Sequence, residues 1–145
     1  MKKILIPVDF SENSPKIVDY ACHIAEKFKA RLTVVYVVQT LQAYEGFVIP
    51  HIPMAEFEED LQKNAQAKMV DFVEKHLPSS LAYDAKVVIG DVAATINSFA
   101  EKEGMDMIVM GTHGYKGLEH ALFGSVAERV IKMAPCPVLS INPYK

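Results

Sequence analysis

Five short runs rich in apolar and β-branched residues recur along this chain, and every gap between them is long enough to hold a helix. The runs are Lys3 to Val8, Leu32 to Val38, Tyr83 to Ile89, Met107 to Met110 and Pro137 to Ile141. A strand that is apolar at consecutive positions buries both of its faces, which is the pattern of a parallel sheet covered on two sides. Parallel neighbours need crossovers of a dozen residues or more, and the gaps here carry helical spacing. Ile17, Val18, Ala21, Ile24, Ala25 and Phe28 share one helical face. Phe57, Leu61, Ala65, Met69, Phe72, Val73 and Leu77 share a second, and Ile96, Phe99 and Ala100 a third. Ser14-Pro15 predicts a helix N-cap with proline at the first helical position, giving a helix over 15–29. The second helix stops before Pro78. The third runs over 92–102 with Gly104 ending it, and the fourth over 126–133 before Pro135. The order β-α-β-α-β-α-β-α-β with right-handed connections predicts one α/β domain over 1–145: a doubly wound, five-stranded parallel sheet with helices on both faces.

Such sheets bind ligands beyond the carboxyl ends of their strands, where the winding reverses, so chemistry is sought at Asp9, at 37–40, at Gly90-Asp91 and from Gly111 onward. Composition narrows the class of ligand. Acidic and basic residues are interspersed and the net charge is −3, so no field argues for nucleic acid or an anionic membrane surface. The apolar run after Lys2-Lys3 is too short for a signal peptide, and none approaches the roughly 20 residues of a membrane span. Cys22 and Cys136 have neither CxxC spacing nor a Cys/His cluster, and are expected to be buried, inert thiols in a reducing, cytoplasmic compartment. His23, His51 and His76 lack metal-ligand spacing, so no protein metal site is expected.

The strongest functional signal follows the fourth strand: Gly111, two residues, Gly114, nine residues, Gly124, then Ser125. Glycines at a strand end allow positive φ and let backbone N–H groups approach an anion with no Cβ in the way. Ser125-Val126-Ala127-Glu128 fits a capping box, which sets the positive end of a helix dipole at the same mouth. A tight βα turn would use the same glycines without any ligand. Neither G-x-x-x-x-G-K-[ST] nor G-x-G-x-x-G occurs, which sets aside the P-loop and the dinucleotide fingerprint. No nucleophile with an adjacent base can be assembled, so a turnover enzyme is not indicated, although slow ATP hydrolysis is compatible with phosphate contacts.

The pattern G-x2-G-x9-G-[ST] resembles that of the ATP-binding branch of the universal stress protein family. The resemblance spans the chain: Ile4-Leu5-Ile6-Pro7-Val8-Asp9 with Ser11 and Ser14, Asp106, Gly124-Ser125-Val126-Ala127-Glu128-Arg129-Val130, and Pro135-Cys136-Pro137-Val138-Leu139. It implies a Rossmann-like sheet of strand order 3-2-1-4-5, similar to the adenine nucleotide alpha hydrolases. It also implies ATP as ligand, with Gly111, His113, Gly114, Gly124, Ser125 and Val126 around the phosphates and ribose. Pro7, Val8 and Asp9 would line the nucleoside pocket, with the Val37 backbone and the Met110 side chain near the base. Asp9, being an anion, is expected to accept from a ribose hydroxyl or the adenine amino group and not to meet phosphate. Lys116 is as easily solvated as bound, and Mg2+ would arrive with ATP, held mainly through the phosphates.

The expected function is a nucleotide-dependent regulatory module of the stress response. The alternative is a dimeric partner-binding module without nucleotide. The loop from Gln39 to Pro53 is read either as a lid beside the nucleotide or as a segment packed on helix two. The apolar, uncharged strand 138–141 lies last, at a sheet edge, and predicts a homodimer through that edge.

Overall fold

The computed structural model describes residues 1–39, 54–113 and 124–145. Its elements are β1 (Lys3–Pro7), α1 (Ser14–Phe28), β2 (Arg31–Gln39), α2 (Met54–His76), β3 (Tyr83–Gly90), α3 (Val92–Lys102), β4 (Met107–Gly111), α4 (Ser125–Met133) and β5 (Val138–Ile141). The strands form one parallel sheet in the order β3-β2-β1-β4-β5. The α/β class, doubly wound topology and strand order are those expected.

Alternation along the central strands divides the core into two layers. Ile4 and Ile6 of β1, Leu32 and Val34 of β2 and Val109 of β4 pack with Ile17, Val18, Ala21 and Ala25 of α1 and with Met69 and Val73 of α2. Leu5, Val35, Val37, Ile108 and Met110 point the other way, onto Ala93, Ile96 and Ala100 of α3 and Ala127 and Val130 of α4. Successive side chains leave a strand on opposite faces, so consecutive apolar residues in β1 serve both layers at once. Ile4, Leu5 and Ile6 are fully buried. On the order of 1.5–3 kcal/mol accrues to each such side chain on leaving water.

The far ends of the strands are tied by polar groups. Asp106 Oδ2 accepts the backbone N–H groups of Lys2 at 2.6 Å and Lys3 at 2.9 Å. Those two bonds hold its carboxyl below the usual range. Arg31 grips Asp84 at 2.6 and 2.9 Å, joining β2 to β3. These contacts leave the opposite ends of the strands for function.

Four local expectations are corrected. Ser14 is not the N-cap of α1; Asn13 is, and Ser14 is already helical, its hydroxyl donated to Asp9 Oδ1 at 2.9 Å and not turned to the helix amides. Phe28 is 56 % exposed, the last residue of α1 before a left-handed Lys29. Ser125 is not a cap either: Gly124, extended at φ −71° and ψ 158°, is the N-cap of α4, and no side chain caps it. Cys136 is half-buried where full burial was expected, whereas Cys22 is buried and its thiol is pushed up to about 11, first by desolvation and then by Asp19 and Glu26.

Candidate functional site

The winding reverses between β1 and β4, and a cavity of about 440 Å³ opens there beyond the strand ends. That volume is in the range of small-molecule sites. Pro7, Val8, Asp9, Val37, Met110, Gly111, His113, Gly124, Ser125 and Val126 all line it. Gly114 and Lys116, together with the rest of 114–123, lie outside the described residues, as does 40–53 of the loop after β2.

The β1–α1 loop forms one wall. Asp9 Oδ1 accepts the N–H of Ser11 at 2.9 Å and the hydroxyl of Ser14 at 2.9 Å, and the N–H of Ser14 returns to the carbonyl of Ser11 at 3.0 Å. This carboxylate therefore acts first as a clasp for helix entry. Between Asp9 and Ser11 stands Phe10 at φ 57°, a left-handed backbone that bulky residues seldom adopt. Its ring is held against Tyr36 at 4.5 Å and Phe72 at 5.6 Å, which offsets the strain by burial.

The opposite wall comes from β4 and α4. Thr112 donates its N–H to Ile141 at 2.9 Å and accepts that of Gly124 at 2.7 Å, so one residue joins β5, β4 and the start of α4. Its Oγ1 is hydrogen-bonded to His113 Nδ1 at 2.8 Å, and the buried His113 ring lies 5.6 Å from Tyr144. Neither loop glycine that is described uses the positive φ open to it: Gly124 is at φ −71°, and Gly111 is not among the positive-φ residues. Their lack of a side chain matters for room instead. A Cβ on Gly124 would stand 3.2 Å from the Thr112 carbonyl oxygen, and one on Gly111 would stand 3.1 Å from that of His113 and 3.3 Å from Ile17 Cδ1.

The first intrahelical bond of α4 runs from Glu128 N–H to Gly124 O at 3.0 Å. The amides of Ser125, Val126 and Ala127 precede it and stand at the positive end of the helix dipole, beside the cavity. That arrangement suits an anion. Apolar groups from the second core layer, Val37, Ile96, Met110 and Ala127, line the rest, which suits a flat, uncharged ring. Among the described residues no group of three or more His, Cys, Asp or Glu is placed to hold a metal ion.

Two features escaped the sequence reading. Ser11 lines the cavity and is only 7 % exposed, and its Oγ has no hydrogen-bond partner among the described residues. Asp91 caps α3, accepting the Ala94 N–H at 3.0 Å, while both of its oxygens take a forked grip from Arg129 of α4 at 3.0 and 2.7 Å. The Arg129 bonds, with that from Ala94, hold the Asp91 carboxyl below the usual range. The position of Asp91 just after β3 was the available signal; its partner lies 38 residues away.

Residues 1–142 match the model of the Universal stress protein family. The chain is similar to Universal stress protein MJ0531 of Methanocaldococcus jannaschii, with 39 % identity over 145 residues, covering 99 % of this chain and 84 % of that one. The solved structure of MJ0577 from the same organism superposes with a TM-score of 0.79 at 30 % identity, covering 97 % of this chain and 95 % of that one. A universal stress family protein of Arabidopsis thaliana, solved with AMP bound, superposes with a TM-score of 0.65 at 19 % identity, covering 98 % of this chain and 92 % of that one. At that identity the likeness speaks for the fold alone.

Proposed function

We propose that this chain, which belongs to the universal stress protein family, binds ATP at the β1–β4 switch point and works as a nucleotide-dependent regulatory module, not as a turnover enzyme. The observation that carries this reading is the convergence on one cavity of an apolar slot and the first amides of α4. The base would rest among Val37, Ile96 and Met110 with Pro7 and Val8 at its edge. The phosphates would meet the amides of Ser125 and Val126, with Gly111 and Gly124 leaving space for them. Gly114 and His113 belong to the same proposal, Gly114 from its place in the motif alone. Mg2+ would be held through the phosphates and would offset their charge.

We assign the module to one domain over 1–145 in the cytoplasm, where its two thiols stay free, and to a homodimer through β5. Sheet order puts β5 at the edge, where Leu139 is 38 % exposed and Met133, at the end of the preceding helix, is 77 % exposed. Covering an apolar edge with a second copy removes an association hazard.

Mass spectrometry of nucleotide released from the purified, denatured protein tests the reading directly. ATP or ADP at near one per chain is the expected result. A chain that carries no nucleotide and gains no thermal protection from millimolar ATP with Mg2+ overturns it.

A further inference from the structure

We propose that Phe10 is a positioning residue for the nucleoside half of the ligand, its clamped ring holding the Asp9 carboxylate in place at the cavity wall. The inference rests on the nucleotide reading above. Phe10 stands at φ 57°, a left-handed backbone that glycine adopts without penalty and that a bulky side chain resists. Such outliers persist where the surroundings over-determine them, and here the surroundings are two rings, Tyr36 of β2 at 4.5 Å and Phe72 of α2 at 5.6 Å.

The turn made by Phe10 carries Asp9 with it. Asp9 Oδ1 accepts the Ser11 N–H at 2.9 Å, a bond that closes over Phe10, so the backbone of Phe10 and the direction of the carboxylate are set together. The same oxygen takes the hydroxyl of Ser14, the first residue of α1, at 2.9 Å. The ladder between β1 and β2 reaches Pro7 opposite Val35, and the Val8 N–H closes on the Val35 carbonyl at 2.9 Å. Past that point, where Asp9 stands, the Phe10 ring on Tyr36 ties the loop back to β2. Among the described residues Asp9, Ser11 and Tyr36 line the cavity and Phe10 and Phe72 do not, so the ring acts through its neighbours and not by touching the ligand. A carboxylate accepts from a ribose hydroxyl or an adenine amino group and repels a phosphate. Loss of the ring is therefore felt through the nucleoside.

The test measures binding of adenosine and of ATP with Mg2+ by calorimetry to the wild type, Phe10→Gly, Asp9→Asn and the double variant, with circular dichroism and thermal unfolding of each. Phe10→Gly relieves the backbone and removes the ring, and is expected to weaken both ligands by the same factor, about tenfold. In the Asp9→Asn background the same change should weaken ATP less than about twofold, since a residue that acts through the Asp9 carboxylate then has nothing to position. An equal loss in both backgrounds gives the ring some other effect and overturns the proposal, as does a loss confined to ATP. A lowered unfolding midpoint with unchanged affinity assigns the ring to packing alone and overturns it too. Phe72→Leu loosens the clamp from α2 without altering the turn, and should weaken both ligands about threefold. Should Phe10→Gly not fold, unchanged affinity in Phe72→Leu overturns the proposal in its place. A wild type that binds neither ligand overturns the nucleotide reading, and this inference falls with it.

Discussion

At the scale of single residues, the site depends on atoms that are missing as much as on those present. Gly124 is extended, not left-handed, so a larger residue could adopt its backbone, yet a Cβ would press on the Thr112 carbonyl at 3.2 Å. Gly124→Val therefore has to push apart the start of α4 and the end of β4, where the phosphates are proposed to lie. The expected outcome is a folded protein with ATP affinity reduced about tenfold or more, read by calorimetry, with circular dichroism as the check on folding. Unchanged affinity in a folded variant would remove Gly124 from the site. The sequence made this glycine visible but not the reason for it. Positive φ is the commonest demand for glycine, and close backbone approach leaves the same letter behind. Ser11 was legible only as part of a motif, because whether a hydroxyl has a partner is decided by what folds against it.

At the scale of elements, order and type were readable from apolar spacing throughout, since each strand and helix buries a stripe whose period the chain must carry. The starts of α1 and α4 were read one residue late as caps. A serine beside a helix start serves as N-cap or first helical residue according to local backbone angles that spacing does not carry; in α1 the Ser14 hydroxyl goes to Asp9. The tie between α3 and α4 was not readable at all, because Asp91 and Arg129 meet only after both helices pack on the same face. Its behaviour with pH follows from the direction of the Asp91 shift. The carboxyl is depressed in the folded chain, so its stabilisation is present above the unfolded value of about 3.9 and is lost as pH falls through the lower folded value. Asp91→Asn keeps an acceptor for the Ala94 N–H but removes the charge. Its urea midpoint is expected to fall below that of the wild type at pH 7, and the gap to narrow as pH is lowered toward about 3. The pair is half-exposed, so the gap at pH 7 should be under about 1 kcal/mol. A gap independent of pH would show that the charge plays no part.

At the scale of the whole molecule, a parallel sheet of order 3-2-1-4-5 leaves β3 and β5 as its edges. β5 is the shorter and carries no charge. Leu139→Lys places an ammonium group at the centre of the proposed interface. The sedimenting mass should fall from two chains to one at tens of micromolar while ATP binding largely survives, since Leu139 does not line the cavity. A wild type that sediments as one chain would refute the dimer.

The chain after β5 packs beside the site, against α1 and the end of β4. Lys16 Nζ donates to the carbonyls of Pro143 at 3.0 Å and Lys145 at 2.9 Å, Tyr144 rests on His113, and Ile141 receives the Thr112 N–H. Edge strand and ligand cavity thus share a wall one residue thick. Thermodynamic reciprocity gives that wall a meaning: whatever factor a nucleotide applies to the affinity of two copies for each other, pairing must apply to the affinity for the nucleotide. In the proposed dimer with the proposed nucleotide, chain and ligand concentration would act on each other through that wall only to the extent of this one factor.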